Sequence, residues 1–424
     1  MFKFPRLALI TCLLLAVTSI ASFGQSTVTG GISGLVTDPN SAVVPNASVT
    51  VRNSETNKED SATTDSEGRY RVVNLVPGSY VVTINGQGFG AFTQEKVIVE
   101  VGRLTDVSPQ LSVGAASANT VSISGEAPVI NSDSQDVSSN INQTSINNLP
   151  TNGRRWSNLA ILTPGTVPDG SFGLISFRGI SGLLNNSTID GGDNNQAFFS
   201  EERGRTRIGS SISQAAIREF QVNTSNYSAE YGRSAGGVIN AVTKSGTNEF
   251  HGSGFYYQRN NKWGARNPLS FQNVLINGVS TRVALKPEDV RHQFGGTIGG
   301  PIVKDKAFFF FSYDQQKRNF PGVAIFSNPS YLSTVNLCSS ATAVGCTATL
   351  FTQSLKNPAR GLSDTQINSA LSFINSLTGE VPRKGNQKLF LPKFDWLQPP
   401  AQHSTSNRGR AWRHALGRAG SAVH

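Results

Sequence analysis

Methionine occurs once in 424 residues and cysteine three times, and charged residues make up only 15%. So sparse a charge speaks against a cytosolic enzyme, and the 42 glycines suit a β-rich exported or surface protein. No apolar run reaches the roughly 18 residues of a transmembrane helix, so any membrane span must be built from strands. The five histidines, His251, His292, His403, His414 and His424, show no paired helical spacing, and HExxH is absent. No grouping of nucleophile, base and oxyanion donors appears, so the reading is not an enzyme and needs no cofactor or metal. The net charge of +10 first suggests nucleic acid. Two cations, Lys3 and Arg6, lie at the start, and Arg408, Arg410, Arg413 and Arg418 lie in the last segment. Without these six the charge falls to +4, no basic face remains, and a nucleic-acid partner is not expected.

What is present begins with a leader. Lys3 and Arg6 precede the apolar stretch 7–17 (LALITCLLLAV), and Ser22-Phe23-Gly24 supplies small residues before a cut that leaves Gln25 first. Residues 1–24 read as a signal peptide, against the alternatives of a membrane anchor or a core helix. Cys12 sits inside the apolar stretch, a poor place for lipid attachment.

Residues 25–113 alternate. Val49 and Val51, Tyr70 and Val72, Tyr80, Val82 and Ile84, and Val97, Val99 and Val101 each keep the period of a half-buried strand. Turns fall at Asp38-Pro39-Asn40, 65–68 (DSEG) and Pro77-Gly78. Short strands between turns describe an antiparallel β-sandwich. Asp38, Asp65 and Glu67 are too few for a calcium loop and read as turn-fixing acceptors. Residues 114–130 read as a linker, with Thr120-Val121-Ser122-Ile123-Ser124 a brief extended piece inside it.

The centre of the chain runs from Ser213 to Phe255. Ser213 reads as the N-cap of a short helix carrying Ala216, Ile217 and Phe220 on one face, with an extended segment starting at Val222. Val238 to Val242 is an apolar run, and 243–248 (TKSGTN) a polar turn. Upstream, Asn152 or Thr151 is expected to cap a helix near Arg154 bearing Trp156, Leu159, Ala160 and Leu162, stopped by Pro164-Gly165. Asp190 and Asp193 lack a neighbouring base or nucleophile and read as turn formers. The loop 194–207 is a cargo-facing candidate or a solvated segment with internal ion pairs.

From residue 249 glycine and aromatics dominate. Glu249 to Arg259 has strand length for crossing a bilayer, with Phe255, Tyr256 and Tyr257 as interfacial aromatics. Phe294, Gly296, Ile298, Gly300 and Ile302 share a face of a second strand. After the turn 304–306 (KDK), Ala307, Phe309, Phe311 and Tyr313 are expected to point outward. Residues 315–387 read as a long polar insertion with an amphipathic helix over 363–377. Cys338 and Cys346 lie in it; in an exported protein this even pair is expected to form a disulfide, two free thiols being the alternative. Residues 388–397 (KLFLPKFDWL) begin another strand, and 398–424 form an atypical tail.

The words REFQV (218–222), SAEYGRSAGGVINAVTKSGTN (228–248) and FHGSGFYYQRN (250–260) together resemble TonB-dependent outer-membrane receptors of the Oar-like branch. FRG at 177–179, IDG at 189–191 and GGPIVKDKAFFFFSYD at 299–314 are similar to that family's plug and barrel motifs. The turn signals of 25–113 resemble the carboxypeptidase-regulatory-like family. The resemblance covers about residues 25–397. It implies a mainly β chain: a transthyretin-like β-sandwich at 25–113, an α+β plug at 118–245, and the first antiparallel strands of an incomplete transmembrane β-barrel at 249–397. It implies outer-membrane localisation, lipid contact, plug-gated uptake and a TonB complex that pairs with Thr120–Ser124 as a TonB box. A first plug strand with no partner role is the alternative for those five residues. A secreted or surface β-sandwich that binds carbohydrate or another extracellular ligand is the competing function. In the family the FDWL segment would continue into many strands, so the sequence read alone suggests a truncated or frame-shifted product.

Overall fold

The structure is a computed structural model that describes residues 28–113, 121–123, 136–170, 173–198, 202–203, 210–276, 279–324, 360–377 and 379–397. The leader, the tail, Thr120, Ser124, Cys338 and Cys346 lie outside the described residues. Two compact units divide the chain. The first holds described residues up to 253 with 296–313 and 389–397; the second holds those of 254–295 and 314–388.

In the first unit, the N-terminal region is a two-sheet sandwich. One sheet has the order β4-β1-β7, from β1 (Gly30–Leu35), β4 (Arg69–Leu75) and β7 (Leu104–Asp106). The other has the order β3-β2-β5-β6-β8. It comprises β2 (Ser48–Asn53), β3 (Glu59–Thr63), β5 (Gly78–Asn85), β6 (Phe92–Val99) and β8 (Val121–Ile123). Along β5, Tyr80, Val82 and Ile84 are buried while Ser79, Val81 and Thr83 are half-covered, the pattern the alternation predicts. They pack with Ile32, Val49 and Val72 in one apolar core. Asp65 Oδ1 accepts from the amides of Glu67 and Arg69, both at 2.9 Å, and Asp38 Oδ1 accepts from those of Asn40 and Ala42. Both carboxylates are turn acceptors. Val101 lies beyond β6 and is buried in a small cluster with Val28 and Val242.

The middle region has a five-stranded sheet of order β13-β12-β15-β14-β9. Its strands are β9 (Val137–Ile141), β12 (Asn186–Ile189), β13 (Gly192–Asp193), β14 (Ile217–Ser225) and β15 (Val238–Thr243); β12 and β15 run parallel. The hairpin of β10 (Thr166–Asp169) and β11 (Leu174–Phe177) lies beside it in sequence, as does the helix α1 (Gln143–Asn148). Two helix expectations change here. Only Gln214–Ala216 is helical after Ser213, as a single 3-10 turn with the Ser213 hydroxyl accepting from the Ala215 amide, and the strand starts at Ile217. Ile217, Phe220 and Val222 are all buried, which the sheet uses on both faces. Trp156–Leu162 is a 3-10 helix without a side-chain cap, and Thr151 instead donates to Gln214 Oε1 at 3.0 Å. Trp156 and Phe220 meet edge to face, 5.1 Å between ring centroids, at the centre of this core.

From residue 251 four strands form one sheet of order β16-β19-β20-β23: β16 (His251–Asn260), β19 (Val290–Val303), β20 (Ala307–Asn319) and β23 (Gln387–Trp396). These strands pass from one unit into the other. Strands β19 and β20, of 14 and 13 residues, exceed the length needed to cross a bilayer. On β20 Phe308, Phe310, Ser312 and Asp314 are buried and Phe311 is exposed, as alternation requires; Ala307, expected outward, is buried. Exposed Ile298, Ile302, Phe394 and Trp396 extend the apolar band. The second unit adds a hairpin missed in the sequence, β17 (Phe271–Ile276) with β18 (Val279–Ala284). It also holds the pair β21 (Gly322–Ala324) and β22 (Gly379–Val381), and the helix α2 (Asp364–Ser376). Ser363 accepts from the Gln366 amide at 3.3 Å, where the expected helix begins.

Candidate functional site

The extended piece of the linker is a strand. Val121–Ile123 adds β8 in parallel to the outer edge of β6, with Phe92 opposite Val121, Thr93 opposite Ser122 and Gln94 opposite Ile123. Its main chain is therefore engaged by the sandwich, on one side, through the type of bonding a partner strand would use. Nothing in the alternation of three residues distinguishes this edge from any other.

Within the first unit the sandwich meets the middle sheet and the segments of the barrel strands that belong to that unit. Arg218, from the REFQV word, donates through both terminal nitrogens to the Glu55 carboxylate at 3.0 and 3.1 Å, the forked geometry that makes such pairs directional. Asn248, in the turn after β15, donates to Asp305 Oδ1 at 2.7 Å and accepts from the Asp305 amide at 2.8 Å. Asn57 of the sandwich reaches the same Asp305 oxygen at 2.9 Å. Asp305 sits at φ 61, a left-handed turn position suited to Asp or Asn. Gly246 is required in the same corner, because a Cβ there would strike the carbonyl oxygen of Phe309. A cleft at this junction is lined by Glu55, Lys58, Tyr80, Arg218, Phe308 and Lys393, among others.

Asp190 carries more than a turn. It lies at φ 49, and the following Gly191 at φ 77, so the chain reverses there. Its Oδ1 accepts from the Thr243 amide at 2.8 Å, and its Oδ2 accepts from the Thr243 hydroxyl at 2.5 Å. Lys393 on β23 reaches in: its Nζ lies 3.7 Å from Asp190 Oδ2 and donates to Thr243 Oγ1 at 3.1 Å. Both charged side chains are buried, 9% and 5% exposed, so neither can fall back on water. Lys393 was invisible as a partner in the sequence, where it is one of five cationic or aromatic residues in a strand word. The signal that could have found it is parity, since Lys393 and Asp395 share the face opposite exposed Phe394 and Trp396.

Glu219 is the second buried charge. Its Oε1 accepts from the Val101 amide at 2.5 Å, joining β14 to the loop after β6. Burial pushes its carboxyl up to about 7; the Val101 amide, Arg218 and Arg103 pull the other way, and nearby Glu100 adds to the rise. Glu100 in turn accepts from Arg103 and from Asn140 on β9, each at 3.1 Å. The loop 194–207, described in part, does not hold Glu202 in solvent: Glu202 is buried and accepts from the Ser157 hydroxyl at 2.7 Å. Asp193 pairs with Arg233 at 2.5 Å in an exposed position.

The sandwich, the middle sheet and a following sheet of long strands with an exposed apolar band define a class, an outer-membrane β-barrel protein with an N-terminal regulatory-like domain. Residues 31–112 match the carboxypeptidase regulatory-like domain, and residues 242–384 match the outer membrane beta barrel domain. Within that class the chain is homologous to the TonB-dependent transporter Oar of Myxococcus xanthus, 31% identical over 304 residues. The alignment covers 69% of this chain and 27% of that protein, so the chain spans about a quarter of its relative's length. Among solved structures, the outer membrane transporter YddB from Escherichia coli is similar at 16% identity and TM-score 0.36, covering 62% of this chain and 31% of that one. A catechol 1,2-dioxygenase from Acinetobacter is similar at 13% identity and TM-score 0.18, over 24% of this chain and 60% of that one. Neither structural likeness bears on mechanism. The relationship is to a transporter and not to an enzyme, and it places the chain in the outer membrane.

Proposed function

We propose that this chain works in TonB-dependent uptake, with the middle region 118–245 as a plug that gates the barrel begun at 249. In this reading residues 1–24 direct export, and β8 with its flanking Thr120 and Ser124 is the strand that a TonB complex takes up. The observation that carries it is the buried Asp190–Lys393 pair, which ties the middle sheet to β23 of the barrel sheet. A plug must be held by contacts that are stable at rest and few enough to break under load. The forked Arg218–Glu55 pair joins the middle sheet to the sandwich, and the Asn248–Asp305 bonds join the turn after β15 to the turn between β19 and β20.

Because β8 is bonded to β6, TonB would have to strip it from that edge before pairing with it. Strand exchange of this type swaps one set of main-chain bonds for another and is nearly neutral, as a reversible handle requires. The test is site-directed cross-linking in cells, with Ser122→Cys in the chain and single cysteines along the strand edge of TonB. Cross-links at 122, and none from a control cysteine at Thr83 in the middle of the same sheet, are expected. Absence of a cross-link at 121, 122 and 123 alike would remove β8 from the mechanism.

A further inference from the structure

The outer edge of β6 is open to a further strand over a short window only. Just before the window, the Gly90 amide donates to the Ser112 carbonyl at 2.9 Å, and Phe89 bridges Val113. Just after it, Glu95 and Lys96 bulge out of the ladder between β5 and β6. Val82 pairs with Gln94 and Tyr80 with Val97, and Lys96 sits at φ 56. Further on, the Ile98 carbonyl accepts from the Thr105 hydroxyl at 2.7 Å. What remains is Phe92 to Gln94, and Val121 to Ile123 fill it residue for residue. Left unfilled, those three residues would be a bare sheet edge, which recruits strands.

Chain length makes the sandwich a strong claimant for β8. Leu111 is buried in the sandwich core and its amide donates to the Thr37 carbonyl at 2.8 Å, so the chain is anchored there up to Val113. Seven residues, 114–120, then lead to Val121. A tether that short holds β8 near its place on β6 at an effective concentration on the order of millimolar, and a strand arriving from solution must compete with it. On the far side, 13 residues, 124–136, lead to β9. Fully extended they reach about 45 Å, so β8 can leave β6 while β9 keeps its pairing with β14. The hold is also limited. Three residues on one edge make no more than a few main-chain bonds, each of small net value, so β8 comes and goes.

We propose that the sandwich is a built-in competitor of the partner strand: the β6 edge holds 121–123 and keeps them from a TonB complex until β8 dissociates. The apparent affinity for TonB is then lowered by the fraction of chains in which β8 is held. This gives the N-terminal domain a regulatory role at the same strand, and it rests on the uptake reading above. The first measurement is hydrogen exchange of the full chain in detergent micelles without TonB. The amides of 121–123 are expected to exchange at least about tenfold more slowly than in a free peptide of residues 118–126. The second is binding of the periplasmic domain of TonB to the chain carrying Thr93→Cys and Ser122→Cys, two positions opposite each other in the strand pair. Bridged by a disulfide, this chain is expected to bind TonB at least about tenfold more weakly than the same chain after reduction. The parent chain with the same reductant controls for the other thiols. Exchange at the rate of the peptide would overturn the proposal, because a strand that is not held needs no release. Equal binding by the bridged and reduced chains would also overturn it, and would leave the uptake reading standing. A reduced chain that does not bind TonB at all would sink the uptake reading, and this proposal with it.

Discussion

The sandwich and the middle sheet each bury a five-stranded sheet, but with different materials. In the sandwich, β5 turns Tyr80, Val82 and Ile84 into a core made of apolar side chains, and the opposite face is partly wet. In the middle sheet every residue of β15, Val238 to Thr243, is buried, including Asn240 at no exposure. Many of its polar side chains bond to one another, while Asn140 Oδ1 and Asn223 Oδ1 are buried without a hydrogen-bond partner among the described residues. Asn195 donates to Asn186 at 2.7 Å, Thr188 to Asn240 at 2.8 Å, and Asn223 to Gln221 at 3.2 Å. Hydrophobic burial is tolerant of small rearrangement; a buried amide network is not, because each lost partner leaves another group unsatisfied. A domain that must stay folded while the rest moves suits the first material. A domain that must fit one wall in one orientation suits the second.

The sharpest way to break this contrast is to remove a charge from the middle region. Lys393→Met leaves Asp190 buried against Thr243 with no cation, at an expected loss of about 3–5 kcal/mol. Adding Asp190→Asn to Lys393→Met should recover much of it, because an amide tolerates the site uncharged. Urea unfolding of the chain in detergent measures both. If the single variant loses under about 1 kcal/mol, the pair is not a tie and the contrast between the two regions fails at its strongest point.

The second effect is a pH dependence. Glu219 titrates near 7 in the folded chain and in the ordinary carboxylate range, 4.5, when unfolded. A carboxyl that holds its proton more tightly when folded makes stability fall as pH rises between those values, and leaves it level above and below. The middle region should therefore lose about 2–3 kcal/mol between pH 4.5 and 7.5 through this group. Glu219→Gln should flatten that part of the profile. Thermal unfolding across the range decides it, and a profile unchanged by the substitution would mean Glu219 is solvated.

The two regions also differed in how much of each could be read from sequence. Alternation located the sandwich strands, because one face is wet and the period of two survives in Val49, Val51, Val82 and Ile84. It failed at Ser213 to Phe220. There both faces are buried, so Ala216, Ile217 and Phe220 fit a helical stripe as well as a strand. Trp156 to Leu162 fitted a helix by the same logic, and tertiary packing tightened it to 3-10. Asp190 was legible as a turn and illegible as a charge partner, since Lys393 is more than two hundred residues away and nothing local announces it. Asp289 and Arg318 were illegible for the same reason: their forked pair, at 2.8 and 3.0 Å, forms only when β19 and β20 come together. Some motif words carried what periodicity could not: IDG holds the reversal at Asp190, and REFQV holds Arg218, the partner of Glu55.

A third substitution sets amide against apolar within one sheet. Asn240→Ala removes the acceptor of Thr188 and the donor to the Tyr231 hydroxyl, 3.3 Å away, at an expected loss of about 1–3 kcal/mol. Asn240→Leu, similar in bulk and unable to bond, should be no better. Equal stability of the leucine variant and the parent would show that the middle core is indifferent to polarity, and the distinction drawn from it would go.

The smallest effect belongs to Asp65, and it tests whether two aspartates with the same appearance in sequence are physically alike. Asp65 and Asp190 each precede a reversal, and each accepts a main-chain amide through Oδ1. Asp65 is exposed, so in Asp65→Ala the amides of Glu67 and Arg69 return to water and only the net value of two hydrogen bonds is lost, about 1 kcal/mol. Asp65→Asn keeps an oxygen acceptor at the same place and should cost a few tenths at most. Asp190→Ala strands a buried lysine and should cost several times as much. The ratio between the two alanine variants matters more than either value, because it removes what the two turns share. If urea midpoints shift equally for Asp65→Ala and Asp190→Ala, burial adds nothing to an aspartate at a turn, and Lys393 holds the middle sheet no more firmly than solvent would.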